Sequence, residues 1–263
     1  MCRCFEEKNM NAIRVSAITM NVFREVIRDR VLYLIGFYGL LLAGAVRILP
    51  EISGSLENKV LLDLGLAAMT FLGLIIAIFV GTGLVSKEIE KRTVFVLIAK
   101  PISRAEFILG KHLGLSAVLA VLLGSMTLIY LGVLGLSRIQ YPLGSILISI
   151  LYTFLELSLI AAVAILFSVF TGSLLATMIT FAVFLIGRFS ADLADLKITN
   201  PDLQRLIDGV YLVLPDLSRL NIKDAVYGVI PDVTTLLMNA TYGLIYIVLV
   251  LTIATIVFSR REF

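Results

Sequence analysis

LGSILISILYTFLELSLIAAVAILFSVF, Leu143 to Phe170, holds a single charged residue, Glu156, in 28 positions. A helix rises 1.5 Å per residue, so this run would extend about 42 Å, beyond the roughly 30 Å hydrocarbon core of a bilayer. Backbone polar groups in lipid must be paired within the segment, and the run lacks the period-two alternation of a barrel strand. It therefore reads as a membrane-crossing helix whose excess length predicts tilt or an overhang.

Five similar runs lie on either side. Ser173 to Ile186 follows after only Thr171-Gly172, as in a tight helical hairpin. Toward the N-terminus come Leu113 to Leu136, Leu64 to Val85 and Val31 to Leu49, and near the C-terminus Thr241 to Phe258. The expected fold is all-α and polytopic, with six transmembrane helices. Composition agrees: 59% of residues are hydrophobic and 16% charged, with a mean hydropathy of +1.02. That is too little charge to clothe a water-facing globule of 263 residues, so lipid is the expected solvent. A net charge of +3 carries no argument for nucleic acid.

Lysine and arginine set the orientation. One side collects Arg3, Lys8, Arg14, Arg24, Arg28 and Arg30, the loop residues Lys87, Lys91, Arg92, Lys100, Arg104 and Lys111, and Arg260 and Arg261. These are 14 of the 22 basic residues. Six spans with both termini in the cytoplasm fit every cluster, in a multi-pass protein of the cell membrane. No apolar run precedes a small-residue cleavage site at the N-terminus, so no removable signal peptide is expected.

Two segments are neither spans nor short turns. In residues 1–30, Ile13, Ala17, Met20, Phe23 and Ile27 recur at helical spacing, while Arg14, Asn21, Glu25 and Arg28 lie largely elsewhere. This predicts an amphipathic interfacial helix marked by Arg14, Phe23, Arg24 and Arg28, ahead of a transmembrane domain over 31–263. Arg24 to Arg30 would be costly in lipid, which weighs against a first span that simply begins early. On the outer side, 188–240 mixes apolar residues with seven aspartates and three prolines. Short amphipathic helices are expected there, for instance over 201–213 and 223–229, capping the outer mouth or re-entering the membrane.

The cytoplasmic loop 86–112, SKEIEKRTVFVLIAKPISRAEFILGKH, is longer than two adjacent spans require. It opens on Lys87, Glu88, Glu90, Lys91 and Arg92, continues through an apolar run and stops at Pro101. Ser103 with Glu106 three residues on is the pattern of a capping box. The reading is a short helix, a proline break, and a helix rising into the third span. Such a helix could carry the movement of a soluble partner to the bundle; a solvated loop whose basic residues only set topology reads equally well from the residues alone.

At this loop the chain resembles the ABC-2 type transporter permeases. The matching residues are Glu88, Glu90, Thr93, Leu97, Lys100-Pro101, Ser103-Arg104 and Gly110-Lys111. FREVIRDRVLYLIGFYGLLL, Phe23 to Leu42, and the ending Phe258-Ser259-Arg260-Arg261-Glu262-Phe263 are similar to the family's as well. The resemblance implies a permease subunit, most simply an exporter, working as a homodimer or with a related permease subunit in the lipid bilayer. A separate ABC ATPase subunit would bind ATP and Mg, with no cofactor in this chain. It implies an ATPase-coupling role for Glu88, Glu90, Thr93, Leu97, Lys100, Pro101 and Arg104. Val210 to Leu220, with its Leu-Pro-Asp-Leu core, is similar to the branch that includes the nitrous-oxide-reductase maturation permease.

Other features narrow the chemistry. No phosphate-binding G-x-x-x-x-G-K-[ST] motif occurs, so ATP hydrolysis by this chain is not expected. His112 is the only histidine, which leaves no histidine cluster for a metal or a catalytic relay; it is expected as a polar residue at the membrane interface. Cys2 and Cys4 have no distant cysteine to pair with. Glu156 is the one acid in mid-span. It reads either as an interhelical hydrogen-bonding group or as part of a polar path, and on the latter the alternative is an ATP-independent secondary transporter or channel. Gly36, Gly81, Gly83, Gly110, Gly114 and Gly124 are expected where helices approach closely.

Overall fold

The computed structural model describes residues 2–28, 32–53, 57–90, 103–137, 141–189, 209, 214–227 and 230–260. Among these, every regular element is helical: α1 Cys2–Val26, α2 Leu32–Ser53, α3 Glu57–Glu90, α4 Arg104–Leu136, α5 Leu143–Phe170, α6 Ser173–Arg188 and α7 Val233–Arg260. Two 3-10 turns, Leu217–Leu220 and Lys223–Tyr227, lie between α6 and α7. The end of the bundle with Glu90, Arg104 and Arg260 is called the lower end here, and the opposite end the upper.

The apolar runs sit within these helices, Val31 lying outside the described residues, but several helices outlast them. α3 begins seven residues before Leu64, and α7 eight before Thr241. Hydropathy marks the part of a helix that lipid surrounds, while hydrogen bonding continues it through the interface. Four helices among the described residues have the length and apolarity to cross a membrane: Lys59–Ile89, Arg104–Leu136, Leu143–Phe170 and Val233–Arg260. The apolar helices Tyr33–Leu49 and Ser173–Arg188 are shorter.

α5 is the centre. It packs against α3, α4, α6, α7 and both 3-10 turns, and Leu157, Leu159, Ile160, Ala161, Ala162 and Ile165 are fully buried. Gly81 of α3 lets the two helices close, since a Cβ there would sit 2.9 Å from that of Ala164. Buried tyrosines satisfy their hydroxyls on α3 carbonyls: Tyr38 donates to Gly65 at 3.2 Å and Tyr130 to Leu62 at 3.0 Å. Gly36 and Gly124, expected at close approaches, instead lie on exposed helix faces with nothing within 4 Å of a Cβ. Gly83 meets only Lys87 of its own helix.

α1 lies along the lower part of α4. A Cβ at Gly110 would approach Ile18 to 2.7 Å, and one at Gly114 would approach Val22 to 2.6 Å. The numbers rise together, so the two helices run in the same direction. The buried face of α1 carries Val22 and Val26. The face singled out from the sequence does not make this contact in its N-terminal half, where Ile13, Ala17 and Met20 are exposed. Periodicity identified an apolar stripe; the two glycines on α4 decide which neighbouring stripe is buried.

The outer segment carries short helical turns. The short helix expected over 223–229 is a 3-10 helix over Lys223–Tyr227, and a second 3-10 helix, which the sequence reading did not single out, precedes it. Residues 201–208 and 210–213 lie outside the described set. Both turns are buried, with Leu217, Leu220, Ala225 and Val226 in the core. Leu220 rests on Gly243, and Pro215 and Leu217 rest on Gly187. Gly243 is ten residues into α7, about 15 Å along its axis from the upper end. The chain has therefore folded back into the bundle above the end of α6.

Candidate functional site

The lower end is tied together by polar contacts that begin in local sequence. Ser103 and Glu106 form the capping box: Glu106 N donates to Ser103 Oγ at 3.2 Å, and Ser103 N donates to Glu106 Oε2 at 2.8 Å. This starts α4 with two otherwise orphan amides satisfied. Arg104, the next residue, donates from Nη1 to the Phe258 and Ser259 carbonyls at 2.6 and 2.8 Å. It thereby caps the C-terminal turn of α7, where backbone carbonyls lack intrahelical partners. Phe107 stacks on Phe258 with ring centres 5.5 Å apart.

Glu88 lies on the last turn of α3, which runs unbroken to Glu90; residues 86–90 end that helix instead of opening a new one. Lys111 of α4 donates to Glu88 Oε1 at 2.5 Å. Nothing is described of the Glu90 side chain, and Thr93, Leu97, Lys100 and Pro101 lie outside the described residues. Of the loop positions, the structure brings Glu88 and Arg104 into the clamps that hold the loop's two ends. On α1, Arg24 and Arg28 are exposed, while Arg14 and Phe23 are half-buried.

A second cluster sits at mid-depth. Glu156 is fully buried, and Arg188 Nη1 donates to its Oε1 at 2.7 Å. Lys223, from the second 3-10 turn, is within electrostatic reach of Glu156, Arg188 and Asp63. Tyr227 of the same turn donates its hydroxyl to Asp63 on α3, with the Lys59 ammonium 4.9 Å from its ring centre. Sequence reasoning singled out Glu156 but not Arg188. The signal was present: Glu156 lies 15 residues before Thr171 and Arg188 lies 16 after Gly172. Two antiparallel helices joined at that hairpin bring those positions to equal depth.

His112, expected as a polar residue at the membrane interface, lies in the lower part of α4. It is buried between α4 and α5, with Nε2 3.4 Å from both Ser116 Oγ and Ser158 Oγ. Its burial was not legible locally, because the serine on α5 beside its ring is 46 residues away. No group of three or more metal-ligating side chains occurs among the described residues.

Long apolar helices around a buried hub, with the mid-span acid Glu156 ion-paired inside, define a multi-pass helical membrane protein. The profile described as ABC-2 family transporter protein matches residues 16–263, and the chain belongs to that family. Its members are membrane permease subunits of ABC transporters, generally not catalytic themselves, that normally work with an ABC ATPase partner. Comparison with curated proteins finds no match.

Proposed function

We propose that this chain is the permease subunit of an ATP-driven exporter, coupled to its ATPase through residues 86–112. The observation that carries the reading is the double clamp on that loop. Lys111–Glu88 ties α3 to α4 at 2.5 Å, and Arg104 ties the start of α4 to the end of α7. A push on residues 91–102 would thus reach three helices as a rigid displacement. Closure of two ATPases would supply that push, and the difference in packing between the two states would supply the coupling.

In this reading all six long and short apolar helices span the membrane, with the lower end and both termini cytoplasmic. α6 has 16 residues, about 24 Å, and the re-entrant turns above it complete its crossing. The exposed residues of α1, Ile13 and Met20, meet the cytoplasmic leaflet. Two copies associate, or one copy pairs with a related permease. Glu156 has its charge matched by Arg188, which supports a structural role over an ion path.

The test is co-expression with a candidate ABC ATPase subunit. Glu90→Ala and Leu97→Ala should abolish permease-dependent ATPase activity or the complex itself, while the isolated permease keeps its elution profile and melting temperature. Glu88→Ala should do the same and also lower stability, because it removes the Lys111 pair. An intact complex with unchanged coupled activity in the first two variants removes the loop from the mechanism.

A further inference from the structure

Two cavities lie end to end between α3 and α6 and share Phe79. The lower, about 390 Å³, has a mixed lining: Glu25, Lys87, Glu88, Lys111 and Ser173 from four helices, with Val26, Phe79, Val80 and Leu84 between them. The upper, about 460 Å³, is walled by Phe71, Ile75, Ile78, Met178 and Phe181, with Thr177 the one hydroxyl. That hydroxyl is already hydrogen-bonded to the Ser173 carbonyl and to Thr82. Phe71, Phe79, Met178 and Phe181 are exposed, so the upper cavity is an open groove on the surface of the bundle.

The groove has the dimensions of a lipid. Phe71 lies 16 residues above Lys87 on α3, and Phe181 eight above Ser173 on α6, or about 24 and 12 Å along the two axes. Half of a hydrocarbon core is about 15 Å. The charged side chains of the lower cavity thus fall at headgroup level when the upper cavity lies along an acyl chain.

The charges select the headgroup. Lys111 is neutralised by Glu88 at 2.5 Å. The remaining ionised groups on the cavity wall are Lys87 and Glu25, one of each sign, and neither is in an ion pair among the described residues. An anionic headgroup would meet Glu25 as well as Lys87. A zwitterion with a phosphate near the chains and a primary ammonium beyond it complements both. A primary ammonium can donate hydrogen bonds to a carboxylate, and a quaternary one cannot.

We propose that the α3–α6 groove binds one ethanolamine phospholipid of the leaflet at the lower end, with its phosphate on Lys87, its ammonium on Glu25 and an acyl chain past Phe79 toward Phe181. The inference does not require the transport reading, since occupancy can be read without an ATPase.

The chain has no tryptophan, so Phe181→Trp supplies a single fluorophore in the groove, with Met178→Trp as a second reporter should the first fail to fold. The full chain is placed in mixed vesicles, and acyl-brominated lipids with ethanolamine, choline or glycerol headgroups are titrated as quenchers. The ethanolamine lipid should reach half-maximal quenching at about fivefold lower mole fraction, the size of one exposed ion pair. Glu25→Gln should bring it to the choline lipid's curve, and Lys87→Gln should weaken both zwitterions. Equal curves for the three headgroups would mean annular lipid only and overturn the proposal. Absence of quenching by any of them would mean that protein covers the groove, as in a second copy, and would overturn it too. Failure of ATPase coupling with headgroup selectivity retained would count against the proposed transport role alone.

Discussion

Arg188 and Glu156 show what one ion pair does at membrane depth. A buried carboxylate is tolerated only with its charge matched, and truncating one partner of a buried pair costs about 3–5 kcal/mol because the other stays charged and dry. Arg188→Ala should therefore lower the melting temperature of the purified protein sharply. The double variant Glu156→Gln, Arg188→Gln should recover part of the loss, because two amides can hydrogen-bond without a charge to bury. Equal melting of Arg188→Ala and the unaltered chain would remove the pair from the stability of the bundle. Glu156 was legible as a costly residue from hydropathy alone. Its partner was not singled out, because Arg188 ends an apolar run and looks like a boundary until the hairpin sets both at one depth.

At the scale of elements, the contact of α1 with α4 rests on absent side chains. A Cβ at Gly114 would lie 2.6 Å from Val22 Cβ and 3.0 Å from the Thr19 carbonyl oxygen. Backbone cannot yield as a flexible side chain can, so Gly114→Val should push α1 away, at a cost of about 1–3 kcal/mol typical of overpacking. Hydrogen exchange should rise across residues 13–26 and stay unchanged in α5. Gly124→Val, where nothing lies within 4 Å of a Cβ, is the matched control and should leave α1 protected. Protection of α1 in the Gly114 variant would mean that other contacts hold it. The capping box that starts α4 was legible from Ser103 and Glu106, because that bond pattern spans three residues. The role of Arg104 as a cap for α7 was hidden, because its acceptors lie 154 and 155 residues away.

For the whole molecule the testable statement is its sidedness. With Cys2 and Cys4 replaced by serine, Ser137→Cys at the upper end should react with a membrane-impermeant maleimide in intact cells. Arg260→Cys at the lower end should react only after permeabilisation. The reverse pattern would invert the proposed topology and move the clamped loop away from any cytoplasmic ATPase. The electrostatic basis is the bias of 14 basic residues toward one side, which acts during insertion and is written locally along the chain.

Sequence by itself determined that this is a helical membrane protein, roughly where its helices lie and how α4 begins. Those properties follow from apolar run length and from bonds between residues a few positions apart, and both are local. Only the tertiary structure decided that the segment after α6 turns back into the bundle, that Glu156 is matched by Arg188, and which face of α1 is buried. Each depends on meetings between distant residues: Gly187 with Pro215, the two arms of a hairpin, Gly114 with Val22. In α5, the run that opened the sequence, hydropathy could tell that 28 residues are apolar. It could not tell which of them face protein and which face lipid, because both surroundings reward the same side chains.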